Sequence, residues 1–235
     1  MAGVVIAEVS ITYPGLAAVA CRLYGQGIGT DRRALRNGQT SHQEETMLVP
    51  QAAAVGTAQL SVAFAEPPDL PEAERVMREV LESDLGGYRP QWHRDLDDLE
   101  AAYLGRPRSA LLVARDRGEL LGTAAVRPCE LASPPNPGWL AERYNQPDVC
   151  QLVRVWVLGR GRRKGLGRAL VEHSVAWATG PAGYSRVYLH TDAGVPGAEA
   201  FWRSLPVREV HDSRPDPFNC VHFEIDTEAL LRRAG

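Results

Sequence analysis

Lysine is almost missing from this 235-residue chain: Lys164 is the only one among 26 basic side chains, and 29 acidic residues bring the formal net charge to −3. A protein that coats nucleic acid is normally strongly basic, so this balance excludes nucleic acid as a general partner. Cysteine is scarce as well. The four cysteines, Cys21, Cys129, Cys150 and Cys220, lie far apart without metal-ligand spacing. They offer no metal site and are expected as free thiols in a reducing compartment. A long apolar run is also lacking. The most apolar stretch, residues 3–25, is interrupted by Glu8, Pro14 and Gly15, and no basic residue precedes it. Both features argue against a signal peptide or a membrane span, and the expectation is a cytoplasmic chain with no membrane partner. Neither an internal repeat nor a low-complexity tract occurs, so solenoid and fibrous classes drop out. A hydrophobic content of 44% with 23% charged residues is that of an ordinary globule.

What is present divides in two. Residues 1–57 read unlike the rest, and the polar, Gly- and Arg-rich stretch 25–45 keeps no period of either kind. Met47 opens the run into the first clear strand, so residues 1–57 are expected as an N-terminal extension, disordered or a start-site artefact. An added strand or a dimer arm is the competing reading. From residue 58 to 235 the order is legible as one domain. Strand 58–65 precedes a helix with Asp69 as N-cap and Pro71 in its first turn, which Gly86-Gly87 stops. A second helix spans 90–104, and strands 109–116 and 119–128 turn around Arg117-Gly118. A Pro-rich loop (131–148) leads to strand 150–158, helix 167–178, strand 185–192 and a short helix 197–205, and strands 207–212 and 218–226 close the chain as a hairpin. This order predicts an α/β fold with a mixed sheet and helices on its faces.

The central stretch, VRVWVLGRGRRKGLGRALVEH (153–173), crowds five basic side chains and several glycines into a strand-to-helix junction. The first turn of a helix has backbone N–H groups without internal partners and carries a partial positive charge. Glycine lets a ligand come close, so the junction is a cradle for a phosphate or pyrophosphate. A Walker A loop is excluded because Gly165, not Ser or Thr, follows Lys164. A dinucleotide fingerprint is excluded because Lys164 stands where its last glycine belongs.

Arg162-Arg163-Lys164-Gly165-Leu166-Gly167 does fit R-x-x-G-x-G. With LVRVWV before it, RALVEH after it and Phe201-Trp202 in a short helix one strand later, the stretch resembles the acyl-CoA-binding motif of the GCN5-related N-acetyltransferase (GNAT) superfamily. The resemblance covers about residues 58–229. It implies a mostly antiparallel sheet with helices on both faces and a splayed central strand pair. Acetyl-CoA is implied as acyl donor, with no metal. Backbone of Val155, Trp156, Val157 and Leu158 would pair with the pantetheine arm. Amides from Arg162 through Gly165, Leu166 and Gly167 to Arg168 would hold the pyrophosphate, and Arg163 or Lys164 the adenosine 3′-phosphate. Trp202 would pack against the coenzyme.

An N-acetyltransferase must also take a proton from its amine, since an ammonium with a pKa of about 10 has no lone pair. Where the family often carries a Glu and a Tyr for proton transfer, this chain has Gln151 and Trp202. His190 is the first candidate base, as an imidazole titrating near neutrality. A buried structural histidine is the equal rival. Asp192, on the same strand face, and Glu130, at the mouth of the Pro-rich loop, follow. Trp139 and Tyr144 are candidate walls of the acceptor site. The acidic run after Trp92 is either an amine dock or a solvated helix start. The resulting expectation is direct transfer, in a ternary complex, to a primary amine of a small molecule. A protein or peptide N-acetyltransferase and a non-catalytic acyl-CoA-binding regulatory module are the alternatives, and a homodimer is left open.

Overall fold

Asp69 does not cap the first helix through its side chain. The computed structural model, which describes residues 60–215 and 218–234, starts that helix with a 3-10 turn over Pro67–Asp69, where Asp69 Oδ2 accepts from the Glu66 amide at 2.9 Å. Helix α1 (Leu70–Asp84) then buries Ala73, Val76, Met77, Val80 and Leu81, a stripe at helical spacing. Arg115 ties its start to the sheet by bonding Asp69 and Glu72 at 2.8 Å each. Gly86 and Gly87, both at positive φ, end it, and the Gly87 amide bonds back to the Leu81 carbonyl at 2.8 Å. The expected extension at residues 1–57 lies outside the described residues.

Strands β1 (Leu60–Phe64), β2 (Ala110–Asp116), β3 (Glu119–Pro128), β4 (Val149–Val157), β5 (Arg186–Asp192), β6 (Val207–Asp212) and β7 (Cys220–Ile225) form one sheet in the order β1-β2-β3-β4-β5-β7-β6. Every pairing is antiparallel except β4 with β5. That parallel pair holds only from Val149–Gln151 to Arg186–Tyr188. Beyond it β4 stays with β3 and β5 stays with β7, so the centre of the sheet opens. Helix α1 and the helix after β4, Leu166–Thr179, both pack on β3 and β4. The fold class is the expected one: mixed, mostly antiparallel, with its central pair splayed.

Three expectations change. The second helix is broken into a single turn α2 (Pro90–His93), a 3-10 segment (Arg94–Asp97) and a π turn (Glu100–Leu104). Three of its acidic residues have separate partners, which favours the break. Asp95 turns inward to Arg154, Asp97 accepts from the Tyr88 hydroxyl, and Asp98 caps the Ala101 amide. Asp95 thus leaves the run for a buried ion pair, while Asp97, Asp98 and Glu100 stay exposed, as a solvated helix start would have them. The Pro-rich loop contains a helix, α3 (Gly138–Tyr144). Tyr144 is buried there and donates to Glu224 at 2.7 Å, while Trp139 stacks edge-on upon His211, so neither residue walls the cleft described below. After the short helix α5 (Ala198–Arg203) and the closing hairpin, a further helix α6 (Thr227–Ala234) follows. The helix Leu166–Thr179 is α4.

Candidate active site

The parting of β4 and β5 leaves a cleft of about 1280 Å³. Part of its shape comes from a bulge in β4: Val153 opposes Ala125 and Trp156 opposes Thr123, so Arg154 and Val155 together face Ala124. Arg154 sits at φ +56°, a left-handed value that a non-glycine residue keeps only when its surroundings demand it. They do so on both sides. Thr123 Oγ1 donates to the Arg154 carbonyl at 3.0 Å, and the guanidinium bonds Asp95 at 2.6 and 2.9 Å and the Trp92 carbonyl at 2.6 Å. The pair is nearly sealed, with side-chain exposures of 13% and 11%. Burial alone would raise the Asp95 pKa, but Arg154 and the Tyr103 hydroxyl outweigh it and hold the carboxyl below its usual range.

At the far end of the cleft, Gly165 takes φ +88° as N-cap of α4, and a Cβ there would meet nothing within 4 Å. The helix start has no side-chain cap, so the amides of Leu166, Gly167 and Arg168 have no helical partner. Against Gly167 lies Phe201, whose ring is 3.3 Å from where a Cβ would stand. A Cβ there would require the Phe201 ring to give by a few tenths of an ångström.

The basic cluster separates by partner. Arg160 is held by Glu79 and Glu119, and Arg162 by Asp84 and the Val157 carbonyl. Lys164 turns away from the cleft to Asp116 at 2.7 Å, so it is not placed for an adenosine phosphate. Arg168 reaches the Ser204 carbonyl at 3.4 Å and Glu172 at 3.9 Å. Arg163 lines the cleft and has no carboxylate partner among the described residues. Val155, Trp156 and Val157 line the cleft, as do Gly165, Gly167, Arg168 and Trp202. Leu158 and Leu166 do not: both side chains are buried, and the Leu158 amide and carbonyl are taken by Leu121 and Gly161.

His190, Asp192 and Glu130 also line the cleft. Glu130 is held by Arg106 at 2.5 Å. Asp192 accepts the Gly194 amide at 2.7 Å through Oδ1, and among the described residues Oδ2 is open. The His190 side chain is open to the cleft but deep among protein atoms. That desolvation, with His222, Arg127 and Arg154 nearby, pulls its pKa down to about 4, not near neutrality as a base would want. Its hydrogen bonding agrees. Arg127 donates to Gln151 Oε1 at 3.2 Å, and arginine has no acceptor, so the Gln151 amide must present Nε2 to His190 Nδ1, 3.4 Å away. The lone pair of His190 then faces Gln151, and its Nε2–H faces the cleft. The expected general base is in this arrangement a neutral hydrogen-bond donor.

Sequence reasoning missed Arg127 and the pairing of Arg154 with Asp95; it marked His93 and Phe201 without placing them. The Phe201-Trp202 pair was visible, but only the structure separates Phe201 at the helix start from Trp202, which is buried. His93 is buried with Nδ1 accepting the Arg89 amide at 2.9 Å, and burial, then Arg154, lowers its pKa.

Comparisons with known proteins bear on the whole assembly. Over 113 residues the chain is 29% identical to N-acetyltransferase family 8 member 3 of Mus musculus, a match that covers 48% of this chain and 45% of that protein. The chain thus spans less than half the length of this curated relative. An acetyltransferase of the GNAT family from Staphylococcus aureus superposes with a TM-score of 0.53 at 15% identity, covering 70% of this chain and 97% of its own. Spermidine N-acetyltransferase from Vibrio cholerae, solved with CoA and spermine, gives 0.53 at 14% identity, covering 74% and 98%. At such identities the likeness is one of fold. Residues 77–205, more than half of the chain and the part that holds the splayed strands and the uncapped helix start, match the Acetyltransferase (GNAT) family, and the chain is a member of it.

Proposed function

We propose that this protein transfers acetyl from acetyl-CoA to the primary amine of a small molecule, by direct transfer with both substrates in the cleft. The observation that carries the proposal is the helix start at Gly165: unpaired amides, no side-chain cap and open space, at one end of a cleft whose β4 wall has no β5 partner past Gln151. A pyrophosphate fits these donors, and Arg163, without a carboxylate partner among the described residues, fits a further phosphate. Acetyl-CoA supplies the electrophilic thioester carbonyl. The β4 edge, without a β5 partner past Gln151, is suited to align an amide-bearing arm along the cleft, although Arg162 already takes the Val157 carbonyl. His190 offers its Nε2–H to the reacting centre. Asp192, with Oδ2 open, draws the ammonium and passes its proton to water.

A small acceptor is favoured over a peptide by the roof of the cleft. Trp92, from α2, meets Phe218, from the β6–β7 connection, edge to face at 5.6 Å, and both line the cavity. The test is a thiol-release assay with acetyl-CoA across a panel of amines. Release that depends on the amine is expected; acetyl-CoA binding with no amine-dependent release would overturn the catalytic reading.

A further inference from the structure

We propose that the cleft floor at Arg127 is a carboxylate subsite, so that the acceptor is a zwitterion of the α-amino acid type, its carboxylate on Arg127 and its ammonium toward Asp192. The proposal rests on the acetyltransferase reading and deepens it by naming the substrate class.

Arg127 lies on β3 opposite Gln151 and lines the cleft. Among the described residues its only side-chain hydrogen bond runs from one terminal nitrogen to Gln151 Oε1, and its Nε is buried with no partner. A guanidinium has five donors, and a buried donor left unmade costs free energy, so the group is built to receive something. Among the described residues, no carboxylate pairs with it. Asp95 senses its charge, but the Asp95 oxygens are occupied by Arg154 and Tyr103. Glu130 is held by Arg106. Two guanidiniums, Arg127 and Arg154, thus share one carboxylate, and the floor is left with a net positive charge.

The anion that answers this charge is not the pyrophosphate. Gln151, opposite Arg127, lies six residues before Val157, a separation of about 20 Å along a strand, and the helix start packs beside Val157. It must be a group on the acceptor. Asp192 supplies the opposite pole on the same strand face as His190, roughly 7 Å further along β5. Its open Oδ2 suits an ammonium, and by strand register His190 lies between the level of Arg127, at Tyr188, and Asp192. A positive and a negative site on either side of one donor match the head group of an amino acid, and match a polyamine poorly.

The experiment compares twins that differ only by the carboxylate: phenylalanine with 2-phenylethylamine, and leucine with isoamylamine. Each is titrated calorimetrically into the full chain saturated with CoA, and turnover is read separately by thiol release. The amino acids are expected to bind at least tenfold more tightly than their decarboxylated twins. Arg127→Gln should erase that ratio, and Arg127→Lys, which keeps the charge without the fork, should retain part of it. Equal or tighter binding of the amines, or no binding by either amino acid, overturns the subsite whatever the variants do. Preferential binding of the amino acids without thiol release would leave the subsite standing and remove the catalytic reading instead.

Discussion

Replacing Asp95 by asparagine tests the idea that the shape of the cleft depends on one buried ion pair. Asn keeps the volume and an acceptor for Arg154 but removes the charge. Because Arg154 and Asp95 are only 13% and 11% exposed, solvent screens the guanidinium left behind very little. Breaking such a pair by removing one partner costs about 3–5 kcal/mol, because an uncompensated buried charge remains. For a domain of this size that corresponds to a fall in Tm of roughly 6–20 °C. Replacing both partners, Asp95→Leu with Arg154→Met, should restore much of the loss, since an apolar pair needs no compensation. The assay is denaturant unfolding of the four proteins of a double-mutant cycle at neutral pH. A loss below about 1 kcal/mol for Asp95→Asn would show the pair to be solvated, as exposed pairs are, and would refute the reasoning. The pH dependence follows from the depressed Asp95 pKa. Its contribution is full above the unfolded value of about 4 and is lost as pH falls through the lower folded value, so the variant should lack that acid limb.

Gly165→Glu should abolish acetyl-CoA binding in calorimetry, by placing a carboxylate before the uncapped amides; unchanged affinity would remove the pyrophosphate cradle. Arg163→Ala should weaken that binding about tenfold and Lys164→Ala less than twofold, because the lysine points to Asp116; the reverse order would show the loop rearranged. His190→Ala should lower kcat roughly a hundredfold, while His190→Asn, which keeps an N–H donor, should recover at least a tenth of the wild-type rate. Equal loss in both variants would return His190 to the role of base. In an NMR titration the His190 ring should stay neutral from pH 7.5 to about 5, because its pKa lies near 4, and a midpoint near 6.5 would contradict that setting.

Much of the fold was legible because it is written in near neighbours. The stripe from Ala73 to Leu81, the glycine stop at 86–87 and the strand-turn-helix around Gly165 each come from local sterics and hydrogen bonding over a few residues, and they stand where the pattern puts them. The second helix failed for the opposite reason. Its local pattern is helical, but Asp95 has a stronger partner in Arg154, 59 residues away, and a tertiary ion pair outweighs a few tenths of a kcal/mol of propensity.

The sequence by itself determined that a glycine-rich, uncapped helix start follows a central strand, because that depends only on which residues are adjacent in the chain. Tertiary structure decided the rest of the site. It turned Lys164 away, left Arg163 without a carboxylate partner among the described residues, and set the His190 tautomer through Gln151 and Arg127, on two neighbouring strands. Every basic side chain in a sequence looks alike. Which of them keeps its charge for a ligand depends on where the carboxylates come to lie, and only the folded sheet brings those together.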